Sequence, residues 1–129
     1  MKNDFRILVV EDNRLNQKIL SFWLSKDNYQ FEVSETGEDA IDAFSKRWFD
    51  LIIMDIMLPG INGFETTSRL REMENVLYGR KTYILALTAN TMDNDRDNCI
   101  KVGMNEYMSK PFDMKKLKSI IESVYLQKF

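Results

Sequence analysis

Asp50-Leu51-Ile52-Ile53-Met54-Asp55 holds four consecutive apolar residues closed by a carboxylate. A strand with one wet face alternates apolar and polar residues. An unbroken run between polar stops suits a strand covered on both faces, as in a parallel sheet packed between helices. A buried helical turn shares the pattern, but β-branched Ile52 and Ile53 favour extended backbone. Working outward, Ile7–Val10 repeats the run before Glu11-Asp12, and Tyr83–Leu87 repeats it before Thr88. Gln30–Ser34, with Phe31 and Val33 alternating, and Asn105–Met108 are weaker strands, the latter leading into Lys110-Pro111.

Between these runs the apolar residues take helical spacing. Leu15, Ile19, Phe22 and Trp23 share one face, as do Ala40, Ile41 and Phe44, and finally Leu117, Ile120, Ile121 and Val124. The stretch Asn90–Asn98 is unusually polar for a helix on a sheet and reads as a loosely held fourth helix. Thr36-Gly37, Pro59-Gly60, Asn62-Gly63 and Gly103 interrupt the periodic stretches where turns belong, and Asp113 can cap the last helix. Five alternations of strand and helix with right-handed crossovers predict an α/β, doubly wound parallel sheet. At 129 residues the chain, 1–129, reads as one domain.

Composition narrows the chemistry. Eighteen basic against twenty acidic residues, net charge -2, argue against a module that holds nucleic acid by neutralising phosphates. One cysteine, Cys99, permits no internal disulfide and points to a reducing compartment. No apolar run approaches the ~20 residues needed to cross a bilayer, and the N-terminus lacks the apolar core of a signal peptide. A cytoplasmic domain with no membrane contact is the expectation. The chain has no histidine, which removes His-based triads, His-ligated metals and imidazole acid–base catalysis. Carboxylates, lysines, hydroxyls and oxygen-liganded cations remain.

Those groups converge. Open parallel sheets bind ligands at the carboxyl ends of their strands, and four of the five predicted strands deliver Glu11-Asp12, Asp55, Thr88 and Lys110 to that edge. Each alone has a plainer reading: Asp12 as a residue preceding a helix capped by Asn13, Lys110 as a solvated amine, Thr88 as a strand-end hydroxyl, Cys99 as a small hydrophobe. The convergence carries the argument. Two like charges at 4 Å repel by about 4 kcal/mol at an effective dielectric near 20, so three carboxylates need a positive partner. Lys110 is one candidate and a divalent cation the other, with Mg²⁺ fitting an all-oxygen site best. A metal, an amine and a hydroxyl beside a carboxylate suit phosphoryl chemistry, with Asp55 as nucleophile.

Over residues 5 to 127 the sequence resembles the receiver domains of two-component response regulators. The carrying segments are Ile7–Asn13, Asp50–Pro59, Asn62-Gly63-Phe64-Glu65, Ile84–Ala89 and Gly103–Phe112. The resemblance implies a flavodoxin-like (βα)5 sandwich with strand order 2-1-3-4-5. It implies that Asp55 receives phosphoryl from a phosphohistidine on a sensor histidine kinase or a histidine-phosphotransfer protein. It further implies that Asp12, Asp55 and the Met57 carbonyl hold Mg²⁺ with Glu11 assisting through water. Lys110 and Thr88 would bind phosphoryl oxygens, the Lys110–Pro111 bond would be cis, and Tyr107 would change rotamer as Thr88 moves.

Glu11-Asp12-Asn13-Arg14-Leu15-Asn16-Gln17 and Leu87-Thr88-Ala89-Asn90 look most like receivers of hybrid sensor kinases. In such pairs the first helix docks on the partner, which puts Leu15, Asn16 and Ile19 near the contact; the plainer reading gives Leu15 and Ile19 to the core. Asn105 stands where an acid is frequent and Leu58 where methionine is frequent, both away from the acceptor. The resemblance also implies that Met57 and Asn90, beside the acceptor and Thr88, would tune phosphoaspartate lifetime. Receivers also pair as phosphorylation-dependent homodimers through the fourth-helix face, although here that face is polar. Two other readings compete. A Mg²⁺-dependent aspartyl-phosphate phosphohydrolase places a second acid two residues after the nucleophile, where this chain has Met57. A phosphorylation-independent interaction module would not require the functional positions, all of which are filled.

Overall fold

The computed structural model describes residues 2–88, 93–110 and 113–128, without the side chains of residues 2, 3 and 93–95. Strands and helices alternate: β1 (Lys2–Val10), α1 (Arg14–Lys26), β2 (Tyr29–Ser34), α2 (Gly37–Lys46), β3 (Leu51–Asp55), α3 (Gly63–Leu77), β4 (Tyr83–Thr88), α4 (Asp93–Val102), β5 (Glu106–Ser109) and α5 (Met114–Lys128). All strand pairs are parallel, in the order β2-β1-β3-β4-β5.

The two-residue period of the strands divides the core into two layers. Leu8, Val10, Ile52, Met54, Ile84 and Ala86 point to one face, where they meet Ala40 and Phe44 of α2, Leu70 of α3 and Cys99 of α4. Ile7, Val9, Leu51, Ile53, Leu85 and Leu87 point to the other, against Leu20 and Leu24 of α1 and Leu117 and Ile121 of α5. Because both faces are covered, no central strand shows alternation, which is why the apolar runs are continuous. Cys99 packs as a small hydrophobe.

Four helices open on side-chain caps that satisfy an otherwise orphaned amide of the first turn. Asn13 accepts from Asn16 N at 3.0 Å, Thr36 from Asp39 N at 3.0 Å, Asn62 from Glu65 N at 2.9 Å and Asp113 from Lys116 N at 3.1 Å.

Three expectations shift. β1 begins at Lys2, because Phe5 is buried against Tyr29 and Tyr125 and extends the strand below the apolar run. β5 starts one residue late: Asn105 lies outside it, and its side chain instead accepts from Ile84 N at 2.8 Å. In α1 the buried side chains are Leu20 and Leu24, while Leu15 and Phe22 are 67% and 61% exposed and Trp23 is half-buried. The apolar residues of α1 exceed what one face can bury, so spacing alone assigns the wrong set to the core. The polar fourth helix starts at Asp93, and among its described side chains only Cys99 is fully buried. Ala89, Asn90 and Pro111, with the expected cis bond, lie outside the described residues.

One buried hydroxyl stands apart. Among the described residues, Thr67 Oγ1 in α3 is a fully buried polar side-chain atom without a hydrogen-bond partner. Such a group costs about 1–3 kcal/mol in lost hydration. Thr67→Val, which keeps the shape, is expected to raise the unfolding free energy by about 1 kcal/mol in urea titrations; a loss of similar size would show that the hydroxyl is bonded after all.

Candidate phosphoryl and cation site

The carboxyl ends of the strands gather the acids. Glu11 follows β1, its N–H donating to Ser34 O at 3.0 Å as if the β1–β2 ladder ran one residue further. Asp55 is the last residue of β3 and pairs with Leu87 in β4. Lys110 follows β5, and its N–H donates to Thr88 O at 2.7 Å. Glu11 and Asp55 are buried, whereas Asp12 is exposed at the mouth. One carboxylate oxygen from each of Glu11, Asp12 and Asp55 lies within 4.8 Å of the other two.

The turn after β3 is shaped by two glycines. Gly60 has φ +74°, a left-handed conformation that glycine adopts at little cost. Gly63 opens α3 so close to the strand end that a Cβ there would sit 2.6 Å from Ile56 Cα and 2.7 Å from Asp55 O. Only a residue without a side chain lets α3 start this near the acceptor strand. That approach holds the backbone of Asp55 and Ile56, with Gly63 N–H donating to Ile56 O at 3.1 Å.

Lys110 Nζ lies 3.1 Å from Glu11 Oε1 and 3.1 Å from Asp55 Oδ2. Asp55 Oδ1 accepts the Met57 N–H at 3.0 Å, which fixes the carboxylate plane. Burial, then the hydrogen bond and charge of neighbouring Asp55, push the Glu11 carboxyl up to about 7, outweighing the pull of Lys110 and of the Asn13 amide. Burial alone would lower the Lys110 ammonium. The hydrogen bond to Glu11 and the charge of Asp55 overcome it and hold Lys110 above its ordinary value.

One ammonium therefore faces three carboxylates, which leaves negative charge that a second cation could neutralise. The donor set is entirely hard oxygen with one exposed member, the chemistry of a divalent cation that keeps part of its water shell. The residues present fit such an ion.

The remaining predicted residues distribute as follows. Thr88 is buried at the end of β4, one residue past the strand partner of Asp55, and pairs with Ser109. Tyr107, in β5 opposite Ala86, is half-buried with the Arg96 guanidinium 5.8 Å from its ring centre. The Met57 side chain is 71% exposed. On the first turns of α1, Leu15 faces solvent and Ile19 is half-buried. Asn16 is turned inward, its amide Nδ2 donating to Glu11 Oε1 at 3.1 Å. Sequence reasoning gave no site role to Gln17, whose Nε2 donates to the main-chain oxygen of Glu11 at 2.6 Å, or to the Asn13 N–H, 3.3 Å from Glu11 Oε2. The available signal was three amide side chains, Asn13, Asn16 and Gln17, directly after the acid pair.

Comparison with known proteins agrees with this geometry. The sequence model of the response regulator receiver domain matches residues 7–122. Hybrid signal transduction histidine kinase K of Dictyostelium discoideum is 36% identical over 121 residues, covering 91% of this chain; the chain spans 10% of that kinase's length. The receiver domain of a Pseudomonas aeruginosa PAO1 sensor histidine kinase, solved with magnesium coordinated in its active-site cleft, superposes with a TM-score of 0.82 at 37% identity, covering 92% of this chain and 95% of that one. The receiver domain of the Saccharomyces cerevisiae response regulator Ssk1, co-crystallised with the histidine phosphotransfer protein Ypd1, gives a TM-score of 0.82 at 30% identity, covering 88% and 83%. Among the described residues no helix is long and apolar enough to cross a membrane. With that receiver model matching residues 7–122 of the 129, and with these relatives at 30–37% identity, the chain belongs to the response regulator receiver domain family.

Proposed function

We propose that this receiver, spanning 1–129, takes part in a phosphorelay by accepting a phosphoryl group on Asp55 from a phosphohistidine of a sensor histidine kinase or a histidine-phosphotransfer protein. The observation that carries the reading is the Asp55 carboxylate, buried at the end of β3 and held by Lys110 Nζ and the Met57 N–H. In the transfer an Asp55 oxygen forms the new O–P bond as the P–N bond breaks. The electron pair returns to the donor imidazole, which ends neutral or takes up a proton. Asp12, Asp55 and the Met57 carbonyl would hold Mg²⁺, with Glu11 one water further out. When bound, that ion supplies positive charge against the phosphoryl oxygens.

The chain's own residues do the rest. Lys110, paired with Asp55 in the resting site, shifts its ammonium onto a phosphoryl oxygen once Asp55 is esterified. Thr88 donates its hydroxyl to another, and the altered contact at the end of β4 biases Tyr107 in the neighbouring strand. Met57 brings no acid or base two residues after Asp55, which favours a receiver that turns over only its own phosphoryl group above a hydrolase of small substrates. Exposed Leu15 and half-buried Ile19 supply apolar contact for the phosphodonor protein on α1.

The test is phosphotransfer followed by intact mass. With Mg²⁺ and either acetyl phosphate or a phosphorylated histidine-phosphotransfer protein, the chain should gain one phosphoryl group, and it should gain none when the metal is chelated. An unchanged mass with both donors would end this reading and favour an interaction module that works without phosphorylation.

A further inference from the structure

Glu11 must present its carboxylate to the acidic cluster from a position entirely out of solvent. Its orientation is set by donors from two directions. Lys110 Nζ and Asn16 Nδ2 both approach Oε1 at 3.1 Å, and the Asn13 N–H reaches Oε2 at 3.3 Å. Gln17 meanwhile ties the first turn of α1 to the main-chain oxygen of the same residue at 2.6 Å. Lys110 is shared with Asp55 and is proposed to move when phosphoryl arrives, so it cannot serve as a fixed support for Glu11. Asn16 reaches the same oxygen from the first turn of α1 and makes no such exchange.

We infer that Asn16 is a positioning residue for the cation site, holding the Glu11 carboxylate in register with Asp12 and Asp55 from the turn of α1 that also carries Leu15 and Ile19. The inference rests on the reading of this cluster as a Mg²⁺ site. A helix-stabilising role does not account for the contact. The backbone N–H of Asn16 is capped by Asn13 whatever side chain stands at 16, and alanine is the better helix former. Loss of the amide should therefore leave α1 intact and release the Glu11 side chain. Groups that orient the ligands of a metal typically contribute about 10–100-fold in affinity, and the lower end applies here because Glu11 would act one water away from the ion.

The experiment is calorimetric titration of the full chain with Mg²⁺ alone, with far-UV circular dichroism of each variant as a check on folding. Asn16→Ala should weaken binding about tenfold, and Asn16→Gln, which keeps an amide donor, should recover part of the loss. Lys18→Ala, exposed on the same helix, should bind like the unaltered chain. Were Asn16→Ala not to fold, Asn16→Leu takes its place, keeping volume while losing the donor. Unchanged Mg²⁺ affinity in the folded variant, or an equal loss in Lys18→Ala, overturns the inference alone. No binding by the unaltered chain overturns both the inference and the Mg²⁺ site it rests on.

Discussion

Asp55→Asn is expected to fold normally and to take up no phosphoryl group from acetyl phosphate or from a phosphorylated histidine-phosphotransfer protein. The substitution keeps the size of the side chain and an oxygen for the Met57 N–H, now 3.0 Å from Asp55 Oδ1. It removes the anionic oxygen that forms the new bond, and an amide oxygen is not a nucleophile toward phosphorus under these conditions. Folding should survive because Lys110 retains Glu11 at 3.1 Å, so the buried amine is not stranded. One fewer carboxylate also lowers the negative charge of the cluster, so Mg²⁺ should bind more weakly. The loss of phosphorylation is all-or-none, which makes it the largest functional effect available. Intact mass of variant and unaltered chain, run side by side, reads it directly. Phosphoryl uptake by Asp55→Asn would move the acceptor to another residue.

The largest expected loss of stability lies at the other end of the sheet. Glu74 in α3 is almost fully buried, and both its oxygens take Arg71 Nη1 at 3.1 Å while Oε2 also accepts the Thr82 N–H at 3.0 Å. Arg71 continues the network to Thr82 O at 2.7 Å, to Gly103 O at 2.6 Å and to Asn105 Oδ1 at 2.8 Å. These bonds connect α3 with the entry of β4 and with the turn from α4 into β5. Glu74→Ala strips the half-buried guanidinium of its counter-charge and orphans an amide, and breaking a buried pair from one side costs about 3–5 kcal/mol. The lower end is expected, because Arg71 keeps three carbonyl acceptors and its side chain is 18% exposed. Urea unfolding monitored by the two tryptophans would measure it. A change below about 1 kcal/mol, the range of exposed pairs, would mean the network carries little.

Asn105 belongs to this network, which gives a physical reason for an amide at this position. Its side-chain oxygen accepts at once from Ile84 N and from Arg71. An amide does this without adding a second carboxylate beside Glu74.

Much of the molecule was legible in the chain itself. The runs Ile7–Val10, Leu51–Met54 and Tyr83–Leu87 became the three central strands, because a strand buried on both faces leaves an apolar signature that needs no partner to be read. Glu11, Asp12, Asp55, Thr88 and Lys110 could be assigned to one edge for the same reason: each immediately follows or ends a strand, and parallel strands end on one side. The strand order came from the family resemblance, since periodicity says that a segment is buried and not which neighbour buries it.

Tertiary structure decided the rest. Leu15 and Leu20 are equally apolar, yet only Leu20 joins the core against the sheet while Leu15 faces solvent, a choice that depends on which side of α1 the packed sheet covers. The 3.1 Å approaches of Lys110 to both Glu11 and Asp55 join segments up to 99 residues apart, and the 2.8 Å bond from Arg71 to Asn105 spans 34. Local sequence records preferences within a turn of helix or a stretch of strand. Polar pairing between distant segments depends on where the packed backbone sets them, and only the folded chain contains that information.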